Sequence, residues 1–181
     1  MFIRIKKIKE RPYAYLVANT WTSTGPRQKV FKYLGKIVKL EANPGMSFED
    51  YLKKVYNKDL VQYYSDIKYR QLAMDMISFE LFLHGFKKES NRLNNDSYTV
   101  DLNSNEVYLV SNRSPAVFQM NEGFLCNTSL RKFLNFKPKE GKYDAEIGKD
   151  LAERSVAAGL NINKEAFIVL YEKAIKDSCV I

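Results

Sequence analysis

The chain has 181 residues with 29 Lys/Arg against 21 Asp/Glu, a net charge of +8, and is 45% apolar and 13% aromatic. That composition excludes a disordered polyelectrolyte and gives enough length for one good core, or for a small module attached to a larger one. No long apolar run succeeds the charged amino end, so the expectation is a cytoplasmic protein with neither signal peptide nor membrane-spanning helix and no membrane partner.

The charge is confined to one end. Residues 1–40 carry ten basic side chains (Arg4, Lys6, Lys7, Lys9, Arg11, Arg27, Lys29, Lys32, Lys36 and Lys39) against one acid, Glu10, whereas the remainder of the chain is close to neutral. Within this stretch residues 2–9 alternate apolar and basic positions, as a half-buried strand requires. Residues 13–18 read as a second strand after an Arg11-Pro12 turn, and residues 27–40 as a third after the Gly25-Pro26 turn. Three such strands predict a small antiparallel sheet with Ile3, Ile5, Leu16, Val30 and Leu34, or their alternates, on one face and Lys, Arg and Tyr on the other. The sheet is too small to stand alone and should lean on the next segment of the chain.

Residues 41–45 break the pattern and mark the expected boundary between a basic β-module, residues 1–41, and a mixed helical and β domain, residues 46–181. Ser47 is placed to cap a helix, with Asp50 three residues on. Apolar residues then recur at helical spacing from Phe48 to Leu81, with Asn57-Lys58-Asp59 splitting the run and Gly85 stopping it. The period changes to two at Tyr98, predicting strands at residues 98–102 and 107–109, and another pair at 116–120 and 124–126 around Asn121-Glu122-Gly123. Helices are expected at residues 128–136, 144–158 and 164–176, the last capped by Asn163. The fold class expected is α+β: a three-stranded antiparallel basic module followed by a helical domain with a second small antiparallel sheet.

The segment Phe2-Ile-Arg-Ile-Lys-Lys-Ile-Lys, then Tyr13-Ala-Tyr-Leu-Val17 and Arg27-Gln-Lys-Val-Phe-Lys-Tyr-Leu-Gly-Lys36 resembles the N-terminal module of DDE-type insertion-sequence transposases. The resemblance covers residues 2–38. It implies a basic β-hairpin module at a nucleic-acid-handling end, and implies nothing for residues 42–181, which do not resemble the transposase catalytic core.

Chemistry elsewhere is sparse. Cys126 and Cys179 lack CxxC spacing and His84 is the only histidine, so neither a disulfide framework nor a zinc site is expected, and no cofactor is implied. Cys179 is third from the end, the wrong position for prenylation. There is no Gly-rich phosphate loop and no nucleophile motif. Asp96, Asp101, Glu106 and Glu122 are the acids a metal-dependent nuclease would draw on, and Arg113, Gln119 and Asn121 are polar residues available to a second site. The apolar centre of residues 166–170 favours a packed helical hairpin over a helix-turn-helix reader of base edges.

The function expected from the sequence is non-enzymatic binding of DNA or RNA. Arg4, Lys6, Lys9, Arg11, Arg27, Lys29, Lys32 and Lys36 would neutralise phosphates, while Tyr13, Tyr15, Trp21 and Tyr33 would stack or pack beside them. The rival readings are an assembly subunit with an acidic partner, with residues 42–181 available to a protein partner, and a small metal-dependent nuclease.

Overall fold

In the computed structural model, which describes residues 1–43, 45–57 and 59–178, the amino end forms three antiparallel strands: β1 (Phe2–Ile8), β2 (Arg11–Thr22) and β3 (Gly25–Lys39). Lys9 and Glu10 both take positive φ, 48° and 60°, so two residues suffice to turn β1 into β2. The second and third strands are longer than the sequence pattern suggests, because alternation fades in Asn19-Thr-Trp-Thr22 while ladder pairing continues to Thr22 opposite Gly25.

The three strands are not a self-contained sheet. Residues 36–39 of β3 pair in parallel with a strand far along the chain, β8 (Ala116–Met120), which pairs antiparallel with β9 (Gly123–Leu125). The result is a five-stranded mixed sheet in the order β1-β2-β3-β8-β9. Gly35 permits the junction: its φ of +137° is one that L side chains rarely adopt, and a Cβ there would collide with the Pro115 carbonyl.

Three helices come after β3: α1 (Phe48–Tyr56), α2 (Leu60–Asp66) and α3 (Tyr69–Leu83). Ser47 accepts from the Asp50 N–H at 3.1 Å and Asp59 from the Gln62 N–H at 2.8 Å, each cap satisfying a donor that helix geometry leaves open. Periodicity alone predicts a single break between the helices of this region, at residues 57–59, of which Lys58 lies outside the described residues. A second break occurs at Ile67-Lys68, where Tyr69 starts α3 by donating its N–H to Asp177 at 2.8 Å. Pro44 and Cys179 also lie outside the described residues.

A second sheet is antiparallel and four-stranded: β4 (Lys87–Glu89), β5 (Arg92–Asn94), β6 (Tyr98–Asp101) and β7 (Glu106–Leu109), in that order. Its first two strands are only three residues each, too short to leave an alternating pattern in a sequence rich in Lys, Glu and Asn. The chain closes with α4 (Asn127–Leu134), α5 (Asp144–Ala157) and α6 (Lys164–Ser178). Among the described residues no helix is long and apolar enough to cross a membrane.

The main core lies between α3, the inner end of the five-stranded sheet and the second sheet. Phe118 of β8 is fully buried there, its ring centroid 5.4 Å from that of Phe86 and 5.3 Å from that of Tyr98. A smaller cluster on the other side of the sheet joins Ala14, Leu34, Ile37, Val117 and Cys126. Ten of the fifteen α3 residues are buried, which makes it the central helix.

Candidate nucleic-acid interface

Strand register assigns each side chain of β1–β3 to a face, because partners opposite one another project to the same side. Lys6 lies opposite Tyr13, and Tyr13 opposite Lys36. One step further along, Arg4 lies opposite Tyr15, and Tyr15 opposite Tyr33. These two rows put Arg4, Lys6 and Lys36 on one face with three tyrosines. Tyr33 sits 5.5 Å from Tyr15 and 6.3 Å from Tyr13 between ring centroids, in tilted contacts that hold the rings as a group. Arg11 and Trp21 share that face by alternation.

The other basic residues fall elsewhere. Arg27, Lys29 and Lys32 pair with Thr20, Ala18 and Leu16 and so occupy the opposite face, while Lys9 is in the β1–β2 turn. Irregular register at Ala14/Tyr15 and Leu16/Val17 leaves Leu34 and Phe31 as extra residues on β3. Those two bulges are why simple alternation along β3 predicts the wrong side for part of the strand.

The apolar face expected from the sequence is only partly buried. Ala14, Leu34 and Ile37 are inside, but Ile5 is 46% exposed, and Val30, expected on that face, instead pairs with the buried Val17 on the tyrosine face, where it is 58% exposed. The strands overrun the body that covers them, so the far end of the sheet projects with both faces in solvent. Trp21 near the β2–β3 turn is 84% exposed.

Glu10, in the β1–β2 turn, is the only acid that accompanies the charge. From Arg11 to Leu40 the sequence has no Asp or Glu, and among the described residues none of the ten basic side chains takes part in an ion pair. Arg4 donates to the Gln28 side-chain oxygen across β2, and Lys29 Nζ lies 5.7 Å from the Phe31 ring centroid. Burial, and after it the neighbouring Tyr13 and Tyr15, raises the Tyr33 pKa, so its hydroxyl remains a neutral donor.

Beside Tyr33 the sheet opens into a cleft of about 230 Å³ lined by Lys32, Tyr33 and Leu34 on one side and by Glu106, Tyr108 and Arg113 on the other. It exists because β3 parts from β8 at this point: pairing begins only at Lys36 opposite Ala116. The Arg113 guanidinium lies 4.8 Å from the Tyr108 ring centroid, and its Nη2 is 3.5 Å from Glu106 Oε2. Arg113 is legible in the sequence as an exposed loop cation. Tyr108 reads there only as part of a strand, and nothing in its local sequence signals the stacking.

The remaining acids have structural partners or stand apart. Burial would push the Asp101 carboxyl up, but the Ser104 N–H, the Arg92 guanidinium and the Asn103 N–H hold it below its ordinary value. Glu106 faces Arg113, while Asp96 and Glu122 are exposed in turns. Among the described residues no group of three or more His, Cys, Asp or Glu is placed to hold a metal ion. Gln119 lies within β8, and Asn121 turns inward, donating to Glu80 at 2.8 Å and to the Gly159 carbonyl at 2.9 Å.

Two buried carboxylates belong to the core. Asp75, fully buried, accepts from Tyr56 (2.7 Å), Tyr63 (2.8 Å), Lys88 (2.9 Å) and Gln71 (3.1 Å), tying α1, α2, α3 and β4 together. Glu80 accepts from Asn121 and from the Asn161 N–H, with His84 Nε2 at 3.5 Å. Burial lowers the His84 pKa, but the Glu80 carboxylate and the Glu41 backbone carbonyl outweigh it and leave the pKa above its ordinary value.

Comparison with protein-family models, with curated proteins and with solved structures gives no match to this chain.

Proposed function

We propose that this protein binds nucleic acid through the face of β1–β3 that carries Arg4, Lys6, Lys36 and the three tyrosines. The observation behind the reading is the pair of cross-strand rows, Lys6–Tyr13–Lys36 and Arg4–Tyr15–Tyr33, on strands without acids. Cations at fixed spacing on a rigid sheet suit a phosphate array, since each contact releases condensed counterions and needs no ordering of a flexible tail. An acidic protein surface would meet the cations but leave the rings unused. Arg11 and Lys9 extend the field along the same strands, and Arg27, Lys29 and Lys32 reinforce it from the opposite face. The binding is non-enzymatic in this reading. Phosphate contacts of this kind confer affinity before specificity.

Binding of the purified full-length chain to labelled DNA and RNA should weaken steeply and linearly on a plot of log affinity against log salt. Salt-insensitive binding, or none, would refute the proposal.

A further inference from the structure

Charge and aromatic rings recur together on this surface. The two adjacent rows are two residues apart, roughly 6.6 Å along the strand, and each contains at least one cation and one tyrosine, whereas the next row on that face, Phe2–Val17–Val30, is apolar. A duplex keeps its base faces inside the stack and offers these rings nothing, whereas a single strand leaves the faces open. The cleft beside Tyr33 continues the same chemistry away from the charged segment. Its far wall is the Arg113–Tyr108 pair, a stacked cation and ring. Glu106 on that wall disfavours a phosphate there but can accept from a base N–H. The Arg113–Glu106 contact is long and both side chains are exposed, at 70% and 43%, so it is easily exchanged for a ligand.

We infer that the ligand is a single-stranded polynucleotide, its bases taken by Tyr13, Tyr15 and Tyr33 and then by the cleft between Tyr33 and the Tyr108–Arg113 pair. The inference deepens the nucleic-acid reading and rests on it. Phosphates run beside Arg4, Lys6 and Lys36, and the strand then passes the edge of β3 where β8 is not yet paired. The shared chemistry is that of an unpaired strand, so oligothymidylate and oligouridylate are both expected to bind.

The test is fluorescence anisotropy of the full chain with a short oligothymidylate, an oligouridylate and a mixed-sequence duplex at one salt concentration. The single strands should bind about tenfold or more tighter than the duplex. Tyr33→Leu should cost about five- to a hundredfold in single-strand affinity, the weight of one stacked base, and Tyr33→Phe should retain binding. Arg113→Ala should weaken single-strand binding by a larger factor than duplex binding. Thermal melts by circular dichroism confirm that each variant is folded, and Arg113→Ala keeps the test decisive if Tyr33→Leu is not. Duplex binding as tight as single-strand binding, or full affinity in folded Tyr33→Leu and Arg113→Ala, overturns the inference and leaves phosphate-driven binding standing. Absence of salt-sensitive binding to all three probes overturns both.

Discussion

The tyrosine face of the β1–β3 sheet and the core around α3 use tyrosine in opposite ways. Tyr51, Tyr63 and Tyr69 are buried, and burial, with the nearby Asp75 second to it, pushes the Tyr51 hydroxyl up to about 12. Tyr56 and Tyr63 spend their hydroxyls on the Asp75 carboxylate, and Tyr69 donates to the Phe133 carbonyl at 2.7 Å. Their polar ends are satisfied inside the fold. Tyr13, Tyr15 and Tyr33 instead pack against one another with cations alongside and no carboxylate, which leaves ring faces and charge available to a ligand. Residue type is therefore a poor guide to surroundings in this chain: what separates the two groups is burial, with Tyr51, Tyr63 and Tyr69 inside the core and Tyr33 42% exposed.

That contrast breaks first under truncation of paired aromatic positions. Phe118→Ala should lose about 3–5 kcal/mol of stability in urea denaturation, because a fully buried ring leaves a cavity between Phe86 and Tyr98. Phe31→Ala, at a position 53% exposed, should change stability by no more than about 0.5 kcal/mol. Equal costs at the two sites would mean that the outer sheet is covered.

A somewhat smaller loss, about 3 kcal/mol, is expected for Asp75→Ala, which strands the Tyr63 hydroxyl and the Lys88 ammonium without their shared acceptor. Below its unfolding transition this variant should bind nucleic acid like the parent, since the cluster lies in the core rather than on the candidate face. Loss of affinity in folded Asp75→Ala would show that core and face are coupled.

The smallest effect sharpens the comparison through pH. The folded-state pKa of His84 is raised, so its contribution to stability is fully present below the ordinary histidine pKa and is lost as pH rises through the folded value. Denaturation of wild type and His84→Gln across that window should give curves that converge as the pH rises. A gap that widens with pH would reverse the assignment.

Much of the fold is legible from local rules. Ser47, Asp59 and Asn163 lie at helix starts and make the capping contacts that helix termini demand, and the turn around Asn121-Glu122-Gly123 separates paired strands. What local pattern does not carry is long-range pairing. Nothing in residues 36–39 or 116–119 reveals that they lie side by side in parallel, because each run could alternate equally well against another partner. The requirement is visible only in Gly35, where the Pro115 backbone leaves no room for a side chain. For the site, the cations and rings are countable in the sequence, but their division between faces depends on two β-bulges in β3. Tyr108 is covered by Arg113 through the tight turn at residues 109–114, and it reaches Tyr33 only across the tertiary cleft.

The sharpest measurement is the salt dependence of binding on the two faces of the sheet. Binding to oligothymidylate should be titrated with salt for wild type, for Lys6→Gln/Lys36→Gln on the tyrosine face and for Lys29→Gln/Lys32→Gln on the opposite face. The tyrosine-face double variant should flatten the slope of log affinity against log salt by about 1.4, roughly 0.7 for each phosphate of a single strand no longer neutralised, and the opposite-face pair should change it less. An unchanged slope in Lys6→Gln/Lys36→Gln would contradict the claim that this face is where the chain meets phosphate.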